Sequence, residues 1–315
     1  MPGPKTHDIF YKQIKDKLNT STFDSLTNFD NYNIFAQGHD LLLYADFYKP
    51  FKLKKNIEES LLLQSYNFPM FVYCFLKEAQ SAGIIEIEQI RLFIHGYVLH
   101  HILDSYIHPF LIYTTGSHTP DKKQKTWEHG NLETLIDSYM MKKYEGKSSR
   151  TYKSHLDFQV DFILDKTIIE ILDKILAEVY NINNGGSRFK KGIYQLESFI
   201  RLMKYDPSGC KRELFNCVEV LTERGEGARS LSYNVDYFMA VYHLNLSNEV
   251  WYNPDDLSVS SNDSFFDLYD KALSHGVSIT ERLEALCKSS FNQDDIFNIV
   301  PDISSITGLK SVAQL

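Results

Sequence analysis

The stretch from Phe93 to Phe110 limits what this chain can fold into more than any other. Four of the eleven histidines, His95, His100, His101 and His108, lie in a run that is otherwise almost wholly apolar or aromatic. Such a run reads as a helix made for burial. Helical residues four apart stand above one another, so His100, Asp104 and His108 form one stripe of imidazole, carboxylate and imidazole. Ile94, Val98, Leu99, Ile102, Leu103 and Ile107 surround it. A carboxylate in apolar surroundings needs a partner, because an uncompensated charge there shifts its pKa or destabilises the fold. An i,i+4 hydrogen bond inside a core is one answer and a metal ion is another. The offset recurs at His129 and Glu133, at the head of the next helical pattern. Two helices that each present an imidazole and a carboxylate make a nitrogen and oxygen donor set suited to zinc, so the metal reading is preferred.

The 315 residues, 43% of them hydrophobic, suffice for a large core and set no domain boundary by themselves. A net charge of −8 with no dense basic segment argues against a stable complex with nucleic acid. A metal would locally reverse that potential over a phosphate. Cys74, Cys210, Cys217 and Cys287 show no paired metal-ligand spacing and read as reduced core thiols. The first residues hold no apolar leader segment, and no run of about 18 apolar residues offers a membrane span. A cytoplasmic protein is expected.

The series of His100, Asp104 and His108 followed by His129 and Glu133 resembles the ligand helices of the zinc-dependent phospholipase C family, which is related to single-strand-specific zinc nucleases. The resemblance covers residues 1–140 and is faint beyond. It implies an all-α fold with two or three zinc ions that hydrolyses phosphoric esters. It further implies that His100, Asp104 and Asp40 share one ion, that His108, His129 and Glu133 hold a second, and that His7 serves a third. Asp40, in a small-residue turn after Gly38, matches a family ligand and proposed general base, although an Asp capping the following helix is the competing reading. His39 is adjacent, but neighbours on a regular element point apart. Two features depart from the family: the processed N-terminal Trp is absent, and Gln64, Ser65 and Tyr66 stand where relatives carry another zinc-binding His. His39 would have to supply that nitrogen. The expected partner is a phosphodiester substrate, phospholipid among the candidates. The alternatives are a nuclease-type phosphodiesterase and a degenerate relative that keeps a structural metal site and works in binding or assembly.

The remaining pattern predicts one all-α body, with the metal motifs in residues 1–140 and a helical C-terminal part in 141–315. Thr6 is expected to cap a first helix with Asp8 complementing its dipole, and residues 19–33 to connect elements. Phe47 to Lys55 reads as an aromatic and basic loop, with a helix from Ile57 to Gln80 broken near Pro69. Pro109 should end or bend the central helix at His108. His95 and His101 read as core or ligand-orienting histidines, and residues 114–125 as a rim in which His118 is exposed. A helix is expected over Phe158 to Tyr180, residues 181–187 as a loop within the body, and Arg224 to Arg229 as a turn. Helical patterns recur in Leu214 to Leu221, Leu231 to Leu246 and Phe265 to Leu286. No strand alternation stands out.

Overall fold

The computed structural model describes residues 3–311 apart from 27, 117–121, 209, 212–213, 215–231 and 234–236. The described residues are mostly helical. The expectations for His118, for Arg224 to Arg229 and for most of Leu214 to Leu221 fall outside them.

The central element is α6 (Glu88–Thr115), in which nearly every residue from Ile90 to Leu111 is buried whichever way it faces. A helix that is apolar all round must be enclosed by others. Here α1 (Pro4–Lys15), a tight 3-10 segment over Phe29–Asp40, α5 (Phe68–Ser81), α7 (Lys122–Glu145) and α10 (Phe265–Cys287) pack against it. Between the first 3-10 segment and α5 come α3 (Leu41–Tyr44) and α4 (Pro50–Ser65). The amphipathic α8 (Lys166–Tyr180) and α9 (Gly185–Met203) pair with each other, α8 lying on α5 and α9 on α3.

Proline placement explains several boundaries that the sequence misplaces. The chain enters a helix at Pro50, so Phe51 to Lys55 are helical and not a loop. Proline's fixed φ and missing N–H suit a first helical turn. The break between α4 and α5 falls at Asn67, in a left-handed conformation, with Pro69 in the first turn of α5. Pro109, in contrast, lies inside an unbroken α6. It leaves the Ser105 carbonyl without its helical donor, and the main chain at Gly308 closes against that oxygen, where a Cβ would sit 2.6 Å away.

Thr6 does not cap α1, which begins at Pro4. The carboxylate of Asp137 on α7 caps it from outside, accepting from the main-chain N–H of Lys5 at 3.0 Å and of Thr6 at 2.8 Å, and from the Thr6 hydroxyl at 2.6 Å. Residues 19–33 include a short α2 (Thr20–Ser25). The helix expected from Phe158 starts instead at Lys166, where Asp165 accepts from the Thr167 N–H at 2.8 Å as its cap. Strands β1 (Trp251–Asn253) and β2 (Asp256–Ser261) form an antiparallel hairpin that the sequence did not announce, because its apolar positions face outward and only Trp251 and Asn253 are buried. Cys210 is exposed, Cys74 is half-buried and Cys287 is buried, so among the described cysteines only Cys287 fits the expected core thiol, and Cys217 lies outside the described residues.

Candidate metal centre

Two glycines let the 29–40 segment lie directly on α6. A Cβ at Gly96 would sit 2.6 Å from the main-chain carbon of Phe35, so only glycine permits that approach. Gly38 has φ +49°, and a Cβ there would lie 2.6 Å from the His100 ring. The turn it makes delivers His39 and Asp40 against the His100 and Asp104 face of α6.

His100 is oriented by its own Nδ1, which donates to the Ala36 carbonyl at 2.9 Å and leaves Nε2 toward Asp104. This tautomer has a ring nitrogen with a free lone pair, as metal-binding histidines require. The Asp104 carboxylate has His100 Nε2 at 3.1 Å, His7 Nε2 at 3.3 Å and His39 Nε2 at 3.7 Å. None of these approaches is aligned as a hydrogen bond. Both Asp104 oxygens and the Nε2 atoms of His7, His39 and His100 are buried without a hydrogen-bond partner. Asp40 sits at the N-cap position of α3 yet makes no capping hydrogen bond. Its Oδ1 lies 3.3 Å from His39 Nδ1 and is also orphaned. The His7 and His100 rings stack with centroids 4.0 Å apart, while His39 meets His100 edge-on at 4.4 Å.

Buried polar groups are almost always paired, so a convergence of bare donor atoms calls for an explanation. Two triads, His7 with His100 and Asp104, and His39 with Asp40 and His100, each gather their ligand atoms within 4.8 Å. These clusters of buried His and Asp could hold a metal ion, because every atom concerned is an imidazole nitrogen or a carboxylate oxygen. A third acidic group, Asp8 with Glu145 and Asp157, has another occupant. The buried Lys5 ammonium reaches Asp8 at 2.5 Å, Asp157 at 2.7 Å and Glu145 at 3.1 Å. Because α1 begins at Pro4, Asp8 lies past the first turn and does not serve the helix dipole as expected; it holds Lys5, along with Lys12 and Asn33. With the Asp137 cap, this network anchors the first turn of α1, which carries His7.

Electrostatics keep most of the ligands in metal-ready protonation states. Burial lowers His7 to about 4 and takes His39 well below the usual imidazole range, so both are neutral at pH 7. Burial opposes ionisation of Asp104, but the neighbouring His100 and His7 together outweigh it and hold the carboxyl well below its ordinary value. His100 itself is raised, burial working against the charge and Asp104 for it. Burial lifts Asp40 to about 7.

One turn beyond Asp104, His108 is pushed well down by burial, and its Nδ1 has no hydrogen-bond partner. Its ring lies 5.2 Å from that of His129, whose Nε2 is 3.0 Å from Glu133 Oε1 and whose Nδ1 is 3.3 Å from the Thr115 hydroxyl. His129 and Glu133 are 15% and 25% exposed, so this second group lies nearer solvent than the first.

Of the seven sequence candidates, four converge; the other three lie one turn further along α6 and on α7, and among the described residues their ligand atoms do not close within 4.8 Å as the deep triads do. His7, Asp40, His100 and Asp104 make the deep group, and His108, His129 and Glu133 the outer one. His7 faces Asp104 directly and shares the first group. His39, left open by the sequence, belongs there too: its two ring nitrogens face Asp40 at 3.3 Å and Asp104 at 3.7 Å. Gln64 does not reach the cluster directly; it donates to the Ser60 hydroxyl at 3.2 Å, which lies 3.4 Å from His39 Nδ1. His95 pairs with Glu284 at 3.1 Å, and His101 bonds the Ile303 carbonyl at 3.0 Å while stacking on Phe68. Among the described residues no helix is long and apolar enough to cross a membrane. Compared with known proteins, the chain matches no family model, no curated sequence and no solved structure.

Proposed function

We propose that the chain is a zinc-dependent hydrolase of phosphoric esters, a phospholipase C-like phosphodiesterase with two or three ions. The observation that carries this reading is the set of orphaned imidazole nitrogens and carboxylate oxygens around Asp104. His7, His39, His100 and Asp104 would hold the deep ion, with Asp40 beside it, and His108, His129 and Glu133 the outer one. Bound there, zinc would supply an activated water at neutral pH and neutralise the departing alkoxide. Asp40, raised to about 7, is suited to take a proton from water and return it near neutral pH. The part-exposed His129 and Glu133 give substrate phosphate an approach that the deep group lacks.

One observation favours a second reading, in which the metal is a structural staple. His7, His39, His100 and Asp104 are at most 1% exposed, which suits a closed site better than one turning over substrate. Elemental analysis of the purified protein, with turnover of bis(4-nitrophenyl) phosphate, separates the two. The hydrolase reading expects two or more zinc ions per chain, metal-dependent turnover, and loss of one ion together with turnover in Glu133→Gln. One tightly held ion without turnover establishes the staple, and no bound metal overturns both.

A further inference from the structure

A second cluster of charge lies away from the histidines, where the start of α4 faces the start of α9. A cleft of about 420 Å³ opens there, lined by Lys52, Lys55, Arg188 and Lys191 around Asp46 and Asn56. That volume lies in the range of small-molecule sites. Five cations gather at it, because Lys49 joins Lys52 and Lys191 on the single Asp46 carboxylate, at 3.0, 3.2 and 2.8 Å. Glu59 supplies a further countercharge, to Arg188 and Lys55. The cleft is therefore strongly positive on a chain whose net charge is −8. A local excess of one sign in a concave surface focuses its field outward.

We infer that this cleft binds a phosphate-bearing anion. The geometry has a fixed part and a mobile part. Arg188 is pinned by its ion pair with Glu59, by Asn56 Oδ1 at 3.1 Å and by the Asn183 and Asn184 carbonyls at 3.3 and 3.4 Å, so it contributes fixed positive charge to the cleft wall more than free donors. Lys52 and Lys191 are 59% and 43% exposed on flexible stems, and each can turn from Asp46 toward a ligand oxygen. One carboxylate shared by three ammonium groups leaves two positive charges for a ligand that carries two negative ones, which fits a phosphate monoester better than a carboxylate. Tyr48 and Phe51, 60% and 84% exposed, stand beside these lysines, so the phosphate can belong to a free ester or to a lipid headgroup. The inference does not depend on the metal centre.

Titration calorimetry with inorganic phosphate at low ionic strength tests it on the full chain. Wild type should show a saturable 1:1 site that Lys52→Gln with Lys191→Gln weakens about tenfold or more, while Lys174→Gln, paired with Glu78 elsewhere, leaves it unchanged. Both replaced lysines are surface residues, and thermal melting confirms that the double variant is folded. Any phosphate taken up at the histidine cluster persists in the double variant, so the two sites are told apart. Retention on phosphatidic acid vesicles, whose headgroup is a phosphate monoester, that phosphate displaces assigns the anion to a headgroup, and phosphate binding without retention assigns a free ester. An unchanged affinity in the double variant, or no saturable phosphate site in wild type, overturns the inference.

Discussion

Replacing Asp104 with Asn separates a metal centre from a buried ion pair, because the two predict opposite responses to pH. The substitution keeps the side-chain shape and removes the charge that faces His7, His39 and His100. In a plain ion pair the relevant partner is His100, whose pKa is raised in the folded state. A raised imidazole pKa gives stability that is fully present below the unfolded value of about 6.5 and is lost as pH rises through the folded value. The depressed Asp104 pKa acts only in acid and is constant from pH 6 to 8. An ion pair therefore makes wild type more stable than the variant by a margin that shrinks toward pH 8. Metal ligands must shed their protons, so a bound ion makes the margin grow over the same interval. At free zinc about 100 times its dissociation constant, the ion contributes about 2.7 kcal/mol. For a chain of 315 residues that is about 4 °C in melting temperature. The assay is thermal unfolding of both proteins at pH 6, 7 and 8, with zinc and with chelator. A wild-type margin that widens with pH in zinc and narrows with pH in chelator is the expected result. A margin identical in zinc and chelator at every pH refutes the metal centre.

Two further substitutions probe the scaffold. Gly38→Ala forces a side chain into a left-handed position and into the His100 ring, so it should cost about 1–3 kcal/mol and weaken zinc binding in the same protein; denaturant melts and zinc titration would show both, and unchanged zinc affinity would contradict the role given to this turn. Lys5→Met leaves three carboxylates around an empty centre and should cost about 3 kcal/mol, at the lower end for a broken buried pair because Lys12 stays 2.8 Å from Asp8; a loss below about 1 kcal/mol in urea unfolding would show that the network does not hold α1.

What could be read from the sequence is what the helix itself generates. Apolar spacing identified α6, α10 and the enclosure of the central helix, and four-residue offsets identified the His100 with Asp104 and His129 with Glu133 pairs, because these relations are local. Pro109 misled because its effect depends on what meets the released Ser105 carbonyl, and that is Gly308, some two hundred residues away in the chain. The hairpin was missed because its outward positions carry no burial signal.

Only the tertiary structure decided which of these pairs meet. His7 reaches Asp104, and Asp40 reaches His39 and His100, because Gly96 and Gly38 allow main chain to touch α6, and because Asp137, from α7, holds the start of α1. His39 joins them through one residue with positive φ. The basic cleft joins side chains from α4 and α9, more than a hundred positions apart, and no window of sequence contains both. Spacing along a helix determines which side chains share a face, whereas convergence at one point depends on the close approach of separate backbones.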